Sequence, residues 1–264
     1  MTYFQALVLA LLQGITEWLP ISSSAHLILF PRLVGWADQG LGFDVAVHAG
    51  SLVAVLVYFR GEIGAMAGDW GRSLVTRRLE GEAKLAWAVL LGTIPVGLAG
   101  LAFKDAVETV MRDPHVLAWA LIGFGVLLWV ADRWGRRVRT EADLTWRDVA
   151  VIGVAQALAL IPGTSRSGIT MTAGLAVGWT REASARFSFL LAIPVIVLAG
   201  GLDVVDIAQG HARQPLGILA VGFAASAVSA YLCIWAFLAW IRRIGMGPFV
   251  VYRIALGILL LVLF

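Results

Sequence analysis

Long apolar runs are the feature that most constrains the fold of this chain. Hydrophobic residues make up 60% of its 264 residues and charged residues only 14%, whereas soluble domains carry about 25% charged residues. Six runs are long enough to cross, or nearly cross, a hydrocarbon core of roughly 30 Å. They occupy about 44–59, 86–103, 116–131, 185–202, 216–240 and 249–264. The sequence therefore predicts an all-α polytopic membrane protein with six transmembrane helices.

Two further apolar stretches, about 3–30 and 149–178, are broken in the middle. The first is interrupted from Glu17 to His26 and the second from Pro162 to Gly168, by proline, serine and charged residues. Irregular backbone at membrane depth survives only where protein or a water-filled cavity satisfies its N–H and C=O groups. Both stretches are therefore predicted to be re-entrant helical hairpins.

The two interruptions resemble each other, which predicts an internal duplication. Gln13-Gly14 is followed by Pro20 and three serines, while Gln156-Ala157 is followed by Pro162 and a hydroxyl-rich turn. We interpret residues 1–264 as a single integral membrane domain built from inverted repeats, approximately 1–131 and 149–264. In transporters of this plan the binding site lies near the midplane, where the repeats meet.

Loop charge orients this arrangement. The basic loops 60–84 and 132–148 are separated by two spans and must lie on one side, together with Arg181, Arg186, Arg242 and Arg243. The basic residues left in the opposite loops are Arg32, Lys104, Arg112 and Arg213. The positive-inside rule then makes the first side cytoplasmic. The formal net charge is only +3, and the basic residues that raise the isoelectric point lie in short loops between apolar runs. Orientation of the protein among membrane lipids explains these residues, so they do not predict a nucleic-acid partner.

Glu17 is the most informative position. An ionisable group inside an apolar hairpin costs several kcal/mol unless it is paired, solvated or metal-bound, so it marks a functional site by default. Gln13 lies four residues earlier and would share a helical face with Glu17. The two side chains are expected to converge on one ligand or cation, although Gln13 alone would equally suit a packing hydrogen bond.

The segment after Pro20 offers hydroxyls and an imidazole. Ser22, Ser23 and Ser24 stand where a helix restarts, a position that favours serine as an N-cap. His26 would lie on the helical face of Ser23 and is predicted to orient, deprotonate or replace that serine in attack on phosphorus. His48 and Asp44 are weaker candidates for the same cavity, and His115 and His211 are expected to be solvated in outer loops.

The second interruption, Pro162 to Thr170, supplies a positive charge among hydroxyls and glycine at the head of a helix. Such a turn directs N–H groups and the helix dipole at an anion. The Arg166 guanidinium suits phosphate oxygens and the charge that develops in phosphoryl transfer. Its alternative role is to pair with Glu17. Ser165, Ser167 and Thr170 are predicted to donate further hydrogen bonds.

At these residues the chain resembles the bacitracin-resistance family of undecaprenyl-diphosphatases. The family's E/Q-x-x-x-E motif matches Gln13 to Glu17, its Ser-Ser-Ser-x-His segment matches Ser22 to His26, and its P-G-x-S-R-S-x-x-T motif matches Pro162 to Thr170. The resemblance extends over the whole chain in length and span layout. It departs from a two-glutamate motif only at Gln13, which removes one carboxylate that would bind a metal.

The resemblance implies hydrolysis of undecaprenyl diphosphate to undecaprenyl phosphate, with Mg²⁺ or Ca²⁺, in the bacterial inner membrane at a site open to the outer face. This would recycle the lipid carrier of cell-wall synthesis and confer bacitracin resistance. Glu17 is then assigned to the metal and catalysis, Arg166 to the phosphate, and Ser23 and His26 to attack and proton transfer. The remaining positions assigned to substrate binding are Gln13, Ser22, Ser24, Gly163, Thr164, Ser165, Ser167 and Thr170.

Several alternatives stay open at the level of sequence. The nucleophile is Ser23, His26 or a metal-activated water. A lipid-phosphate phosphatase of the other membrane superfamily would need a histidine where Thr172 stands. A polyprenyl-phosphate transporter or flippase would suit the inverted repeat, alone or beside hydrolysis. The sequence also permits a homodimer but does not predict one.

Overall fold

The computed structural model describes residues 1–103, 113–206 and 214–264, with the backbone only for 202–206. In these ranges the chain forms helices, and its only β-structure is one isolated bridge between Arg139 and Trp179. The α-helices are α1 (Tyr3–Thr16), α2 (Ser23–Leu33), α3 (Leu41–Tyr58), α4 (Arg60–Thr76), α5 (Ala83–Ala102), α6 (Pro114–Trp134), α7 (Trp146–Ala157), α8 (Arg166–Ala176), α9 (Arg181–Asp206), α10 (Leu216–Ile244) and α11 (Gly247–Leu263).

Five of these helices, α3, α5, α6, α9 and α10, are long and apolar enough to cross a membrane. The prediction of an all-α protein with several membrane spans is thereby confirmed. The sixth predicted run forms α11, which is apolar but has 17 residues, fewer than the roughly 20 of a typical span. The count of six spans therefore stays a prediction.

Both broken stretches fold as helix–turn–helix units, α1–α2 and α7–α8. Each turn ends at a serine with positive φ, 74° at Ser22 and 71° at Ser165. Each of these serines caps the next helix by accepting a backbone N–H three residues on, from Ala25 at 3.4 Å and from Gly168 at 3.1 Å. The same local structure thus occurs twice. Re-entry into the membrane is a separate claim and stays a prediction.

The first helix of each unit packs against a helix from the other half of the chain. Helix α1 lies on α10, and α7 lies on α5. Both contacts are close because glycine faces the neighbour: a Cβ on Gly14 would lie 2.7 Å from the Ser226 carbonyl oxygen, and one on Gly153 would lie 2.8 Å from that of Gly92. Small residues of this kind let membrane helices approach. An inverted repeat would produce such reciprocal packing, although the repeat itself stays a prediction.

The basic segment 60–84 was predicted to be a loop, and this prediction is wrong for most of it because it contains α4. This helix has 17 residues and buries only Met66 and Ser73. It packs beside α5. Because apolar and charged residues are interspersed along it, it lacks the continuous apolar run that predicts a membrane span. Segment 132–148 is largely irregular, as expected, apart from the 3₁₀ turn Glu141–Asp143.

Four residues predicted to lie in outer loops are outside the described residues: Lys104, Arg112, His211 and Arg213.

Candidate functional site

The two turns meet α3 and α9 around a cavity of about 390 Å³. Half of the twelve predicted site residues line it: Glu17, Ser22, Ser23, Ser24, Ser165 and Arg166. Helix α3 adds Asp44 and His48, and α9 adds an apolar wall that includes Val195, Ile196 and Ala199. The polar groups therefore come from both hairpins and from α3, while the apolar wall comes from α9. A cavity of this composition suits a ligand with a charged head and an apolar remainder.

Glu17 is the centre of the polar cluster. It is 8% exposed, and its two carboxylate oxygens face opposite hairpins. Arg166 Nη2 donates to Glu17 Oε1 at 2.9 Å, and Ser23 Oγ donates to Glu17 Oε2 at 2.6 Å. One carboxylate thus joins the two turns, and the burial expected from the sequence is satisfied by charge pairing and hydrogen bonding together.

Ser23 and Arg166 occupy corresponding positions in the two units. Each is the first residue of its helix, directly after the capping serine with positive φ. A non-glycine residue with positive φ is uncommon and needs support from its surroundings. Here the unusual backbone delivers two different side chains to the same carboxylate. The two predicted repeats therefore differ at this position, with serine in one unit and arginine in the other.

Arg166 is held by three groups at once. Besides Glu17, its Nη1 donates to the Ser188 carbonyl oxygen of α9 at 3.0 Å, and its guanidinium lies 5.5 Å from the centre of the Trp18 ring. Its side chain is 12% exposed. An arginine fixed in this way needs little reorganisation to bind an anion that enters the cavity. Both roles predicted for Arg166, facing the ligand and pairing with Glu17, are compatible with its position.

The predicted Ser23–His26 pair is not formed, which corrects the sequence reading. His26 Nδ1 hydrogen-bonds to the Ser22 carbonyl oxygen at 2.7 Å, and Nε2 hydrogen-bonds to the Tyr252 hydroxyl at 2.6 Å. His26 is 7% exposed and does not line the cavity. Helical spacing placed Ser23 and His26 on one face, but Ser23 turns to Glu17 and His26 turns to α11.

His48 is the imidazole that reaches the cluster. Its Nε2 lies 3.6 Å from Glu17 Oε2, and its Nδ1 hydrogen-bonds to the Asp44 carbonyl oxygen at 2.7 Å. The His48 side chain is 34% exposed, so it borders the open part of the cavity. The weaker sequence candidates, His48 and Asp44, therefore lie at the cavity, whereas His26 lies behind its wall.

The other predicted substrate-binding residues lie outside the cavity lining. Gln13 Oε1 accepts hydrogen bonds from Ser51 at 2.8 Å and Ser226 at 2.7 Å. The Gln13 side chain therefore does not converge with Glu17 on the cavity. Ser167 donates to the Leu19 carbonyl oxygen, and Thr170 hydrogen-bonds within α8 and to Ser188. Gly163 and Thr164 form the turn itself; Gly163 has a φ of 92°, and its absent side chain leaves room for the Leu117 carbonyl oxygen.

Sequence reading missed Arg253. This residue is fully buried on α11 and contacts both turns through its guanidinium. An ionisable residue inside an apolar run is the same signal that identified Glu17. The hydropathy of the run 249–264 predicts a span, and that pattern by itself assigns Arg253 no separate role.

The carboxylates of the cavity suit a cation that binds together with phosphate. In the part of the chain that the structure describes, no three His, Cys, Asp or Glu side chains form a metal-binding cluster. Mg²⁺ is usually held by one or two carboxylates together with substrate phosphates and waters. Glu17 and Asp44, which both line the cavity, supply that number of carboxylates.

Comparison with known proteins identifies the family. The model of the family described as bacitracin resistance protein BacA matches residues 6–259. Undecaprenyl-diphosphatase 2 of Stutzerimonas stutzeri is 58% identical, covering 100% of this chain and 99% of the relative. Undecaprenyl-diphosphatases of Nitrosococcus oceani and Thioalkalivibrio sulfidiphilus are 58% and 57% identical over the full length of both chains. The buried Glu17–Arg166 cluster and these matches agree: the chain belongs to the bacitracin resistance protein BacA family.

Proposed function

We propose that this chain hydrolyses undecaprenyl diphosphate to undecaprenyl phosphate and inorganic phosphate. In the bacterial inner membrane this reaction recycles the lipid carrier for peptidoglycan synthesis and confers bacitracin resistance. The observation that carries the proposal is the Glu17 carboxylate, hydrogen-bonded to both Ser23 and Arg166 in a cavity between apolar helices. The names of the similar proteins support the same reaction and give no support to the transporter alternative.

Ser23 is the nucleophile that the geometry favours. Its hydroxyl already donates to Glu17 Oε2 at 2.6 Å, within the distance expected of a general base. Glu17 takes the hydroxyl proton as Ser23 Oγ attacks the terminal phosphorus. The bond from that phosphorus to the bridging oxygen then breaks, and undecaprenyl phosphate leaves. Glu17 passes its proton to the departing phosphate and is again an unprotonated base. It then accepts a proton from the water that attacks the phosphoserine; the Oγ–phosphorus bond breaks, Glu17 returns the proton to Ser23 Oγ, and inorganic phosphate is released. His26 is less suited to attack because both ring nitrogens are engaged.

Arg166 binds the phosphoryl group in this mechanism. Its guanidinium can exchange the Glu17 oxygen for the non-bridging phosphate oxygens and stabilise the charge that develops on them. The N-terminus of α8 adds its dipole on the same side. Release of Glu17 from Arg166 also leaves the carboxylate free to accept the proton of Ser23. Substrate binding and activation of the base are thereby coupled.

A divalent cation, Mg²⁺ or Ca²⁺, is part of the proposal. Glu17 and Asp44 would hold it against the diphosphate, and when bound it would neutralise charge on the phosphate oxygens. The polyprenyl tail extends along apolar helix surfaces such as the α9 wall of the cavity. The positive-inside rule supports a cavity that opens to the periplasmic face.

The test is phosphate release from undecaprenyl or farnesyl diphosphate by the purified protein in detergent, with and without Mg²⁺. Glu17→Gln keeps the shape of the side chain but loses the base, and Arg166→Ala loses the phosphate ligand. We expect each to lower kcat/KM by about 1000-fold or more. Thr76→Ala is the control, since the Thr76 hydroxyl lies on the exposed end of α4, away from the cavity lining, and donates to the Arg72 carbonyl oxygen. Absence of release by a folded wild type would refute the hydrolase.

A further inference from the structure

Arg253 is a buried charge whose partners are all backbone carbonyls. It is 0% exposed. Its Nε donates to Leu121 at 3.2 Å, its Nη1 to Pro20 at 3.1 Å, and its Nη2 to Gly163 at 3.0 Å and Ala120 at 3.4 Å. Within the described ranges its guanidinium makes no ion pair. Burying a cation without a carboxylate is costly, so this arginine is poorly explained as a source of stability.

Two of those carbonyls belong to the turns of the α1–α2 and α7–α8 units. Pro20 and Gly163 each lie two residues before the capping serine of their unit, Ser22 and Ser165. One guanidinium therefore holds both turns at corresponding points. Arg253 does not itself line the cavity. Because the two capping serines have positive φ, their turns depend on surrounding contacts to persist.

Tyr252, the neighbouring residue on α11, supports the first turn by a second path. Its ring stacks on His26 with centroids 5.6 Å apart and planes at 7°. His26 Nδ1 must be the donor to the Ser22 carbonyl, so in the neutral ring Nε2 accepts from the Tyr252 hydroxyl. The tyrosine thereby selects the tautomer that holds Ser22. This gives His26 a structural connection to Ser23 that does not require direct contact.

We propose that Tyr252 and Arg253 are positioning residues that align Ser23 and Arg166 on Glu17. Arg253 sets the separation of the two turns, and Tyr252 sets the first turn through His26. Neither residue touches the substrate. The inference rests on the proposed hydrolysis, because alignment is measured by turnover. It assigns α11, which contributes no residue to the cavity lining, a direct part in building the site.

The first test replaces Arg253 with methionine and with lysine in the full chain. Arg253→Met removes the buried charge and keeps an unbranched side chain, so we expect thermal stability in detergent to be retained. Arg253→Lys keeps the charge but has too few donors for four carbonyls. Because misplacement by about 1 Å can cost about 100-fold, we expect kcat to fall by about that factor in both while KM changes less than about threefold. Arg242→Met, at the exposed end of α10, is the control.

The second test is a double-mutant cycle between Tyr252 and His26. Tyr252→Phe removes one hydroxyl and should lower kcat by roughly threefold to tenfold through loss of a neutral hydrogen bond. In a His26→Gln background the same change should have no further effect, because the path runs through the imidazole. Tyr231→Phe on α10 is the control.

Wild-type kcat in a folded Arg253 variant would overturn the role of Arg253, and additive effects of Tyr252→Phe and His26→Gln would overturn the role of Tyr252. If both Arg253 variants fail to fold while the wild type folds, Arg253 is a stabilising residue and its positioning role is overturned; the Tyr252 cycle then tests the role of Tyr252 alone. A wild type that releases no phosphate refutes the proposed function instead. A wild type that is active beside unaffected variants refutes only the positioning role.

Discussion

Glu17 shows how one residue can organise a site inside a membrane protein. Its carboxylate is buried, yet each oxygen has a donor from a different hairpin, Ser23 or Arg166. Pairing of this kind offsets the cost of burying the charge. Because the two donors are one hydroxyl and one cation, the proposed mechanism uses the same two contacts for its nucleophile and its phosphate ligand.

At this scale we expect Ser23→Ala to lower kcat by about 1000-fold or more, because among the described residues Ser23 supplies the one hydroxyl that hydrogen-bonds to Glu17. The measurement is phosphate release in detergent, with Thr76→Ala on α4 as the control. Denatured enzyme quenched during turnover of terminally ³²P-labelled substrate should carry label in the wild type and none in Ser23→Ala. Substantial activity in Ser23→Ala would instead indicate attack by water.

His48 gives a second prediction at the residue scale. Its Nε2 lies 3.6 Å from Glu17 Oε2 and borders the open cavity, where it can stabilise the carboxylate charge or pass a proton. We expect His48→Ala to lower kcat/KM by about 100-fold. His115→Ala is the control, since His115 is half exposed beside Asp113 at the start of α6. Equal activity of the two variants would remove His48 from the mechanism.

At the scale of elements, the hairpins depend on close contact with spans from the other half of the chain. Helix α7 approaches α5 where Gly153 faces Gly92, and a Cβ on Gly153 would meet only backbone, with the Gly92 oxygen at 2.8 Å. Backbone cannot rotate away as a side chain does. The position of the second turn, and of Arg166 beyond it, is therefore set partly by these glycines.

Gly153→Ala should force α7 away from α5 and destabilise the protein by roughly 1–3 kcal/mol, as overpacking does. The measurement is thermal unfolding in detergent. Gly97→Ala is the control in α5, because its Cβ would have no atom within 4 Å and alanine favours the helix. If both substitutions gave the same stability, the close approach would not be a constraint.

At the scale of the whole molecule, a second polar cluster ties the chain together away from the cavity. Arg139 donates to both carboxylate oxygens of Asp148, at 3.1 and 2.6 Å, and to the carbonyl oxygens of Asp143 and Val177. It thereby connects the segment after α6 with the start of α7 and the end of α8. Burial would raise the pKa of Asp148, but hydrogen bonds from Arg139 and Thr145 outweigh it and hold that pKa below its usual value.

This cluster predicts how stability depends on pH. Because the pKa of Asp148 is lowered in the fold, its stabilisation is complete above the unfolded value of about 4 and is lost as the pH falls through the folded pKa. Asp148→Asn should cost about 2 kcal/mol at pH 7, and this difference from wild type should shrink in acid. Unfolding measured at pH 7 and at pH 3 checks the trend. Glu80→Gln, at an exposed ion pair, should change little at either pH.

Hydropathy alone determined that this chain is a helical membrane protein and where its two hairpins break. A functional site at Glu17 and Arg166 could also be predicted from the sequence, because a charge inside an apolar segment is costly. Helix α4 could not be predicted in this way, since a helix of mixed polarity lacks the continuous apolar run of a membrane span.

Only the tertiary structure decided which side chains meet. Helical spacing placed Gln13 with Glu17 and His26 with Ser23, but packing turned Gln13 to Ser51 and Ser226, and His26 to Tyr252. It brought His48 to Glu17 and Arg253 to both turns. The physical reason is that sequence period specifies which residues share a face of a helix. The rotation of that face, and the partner opposite it, depend on contacts between residues far apart in the chain.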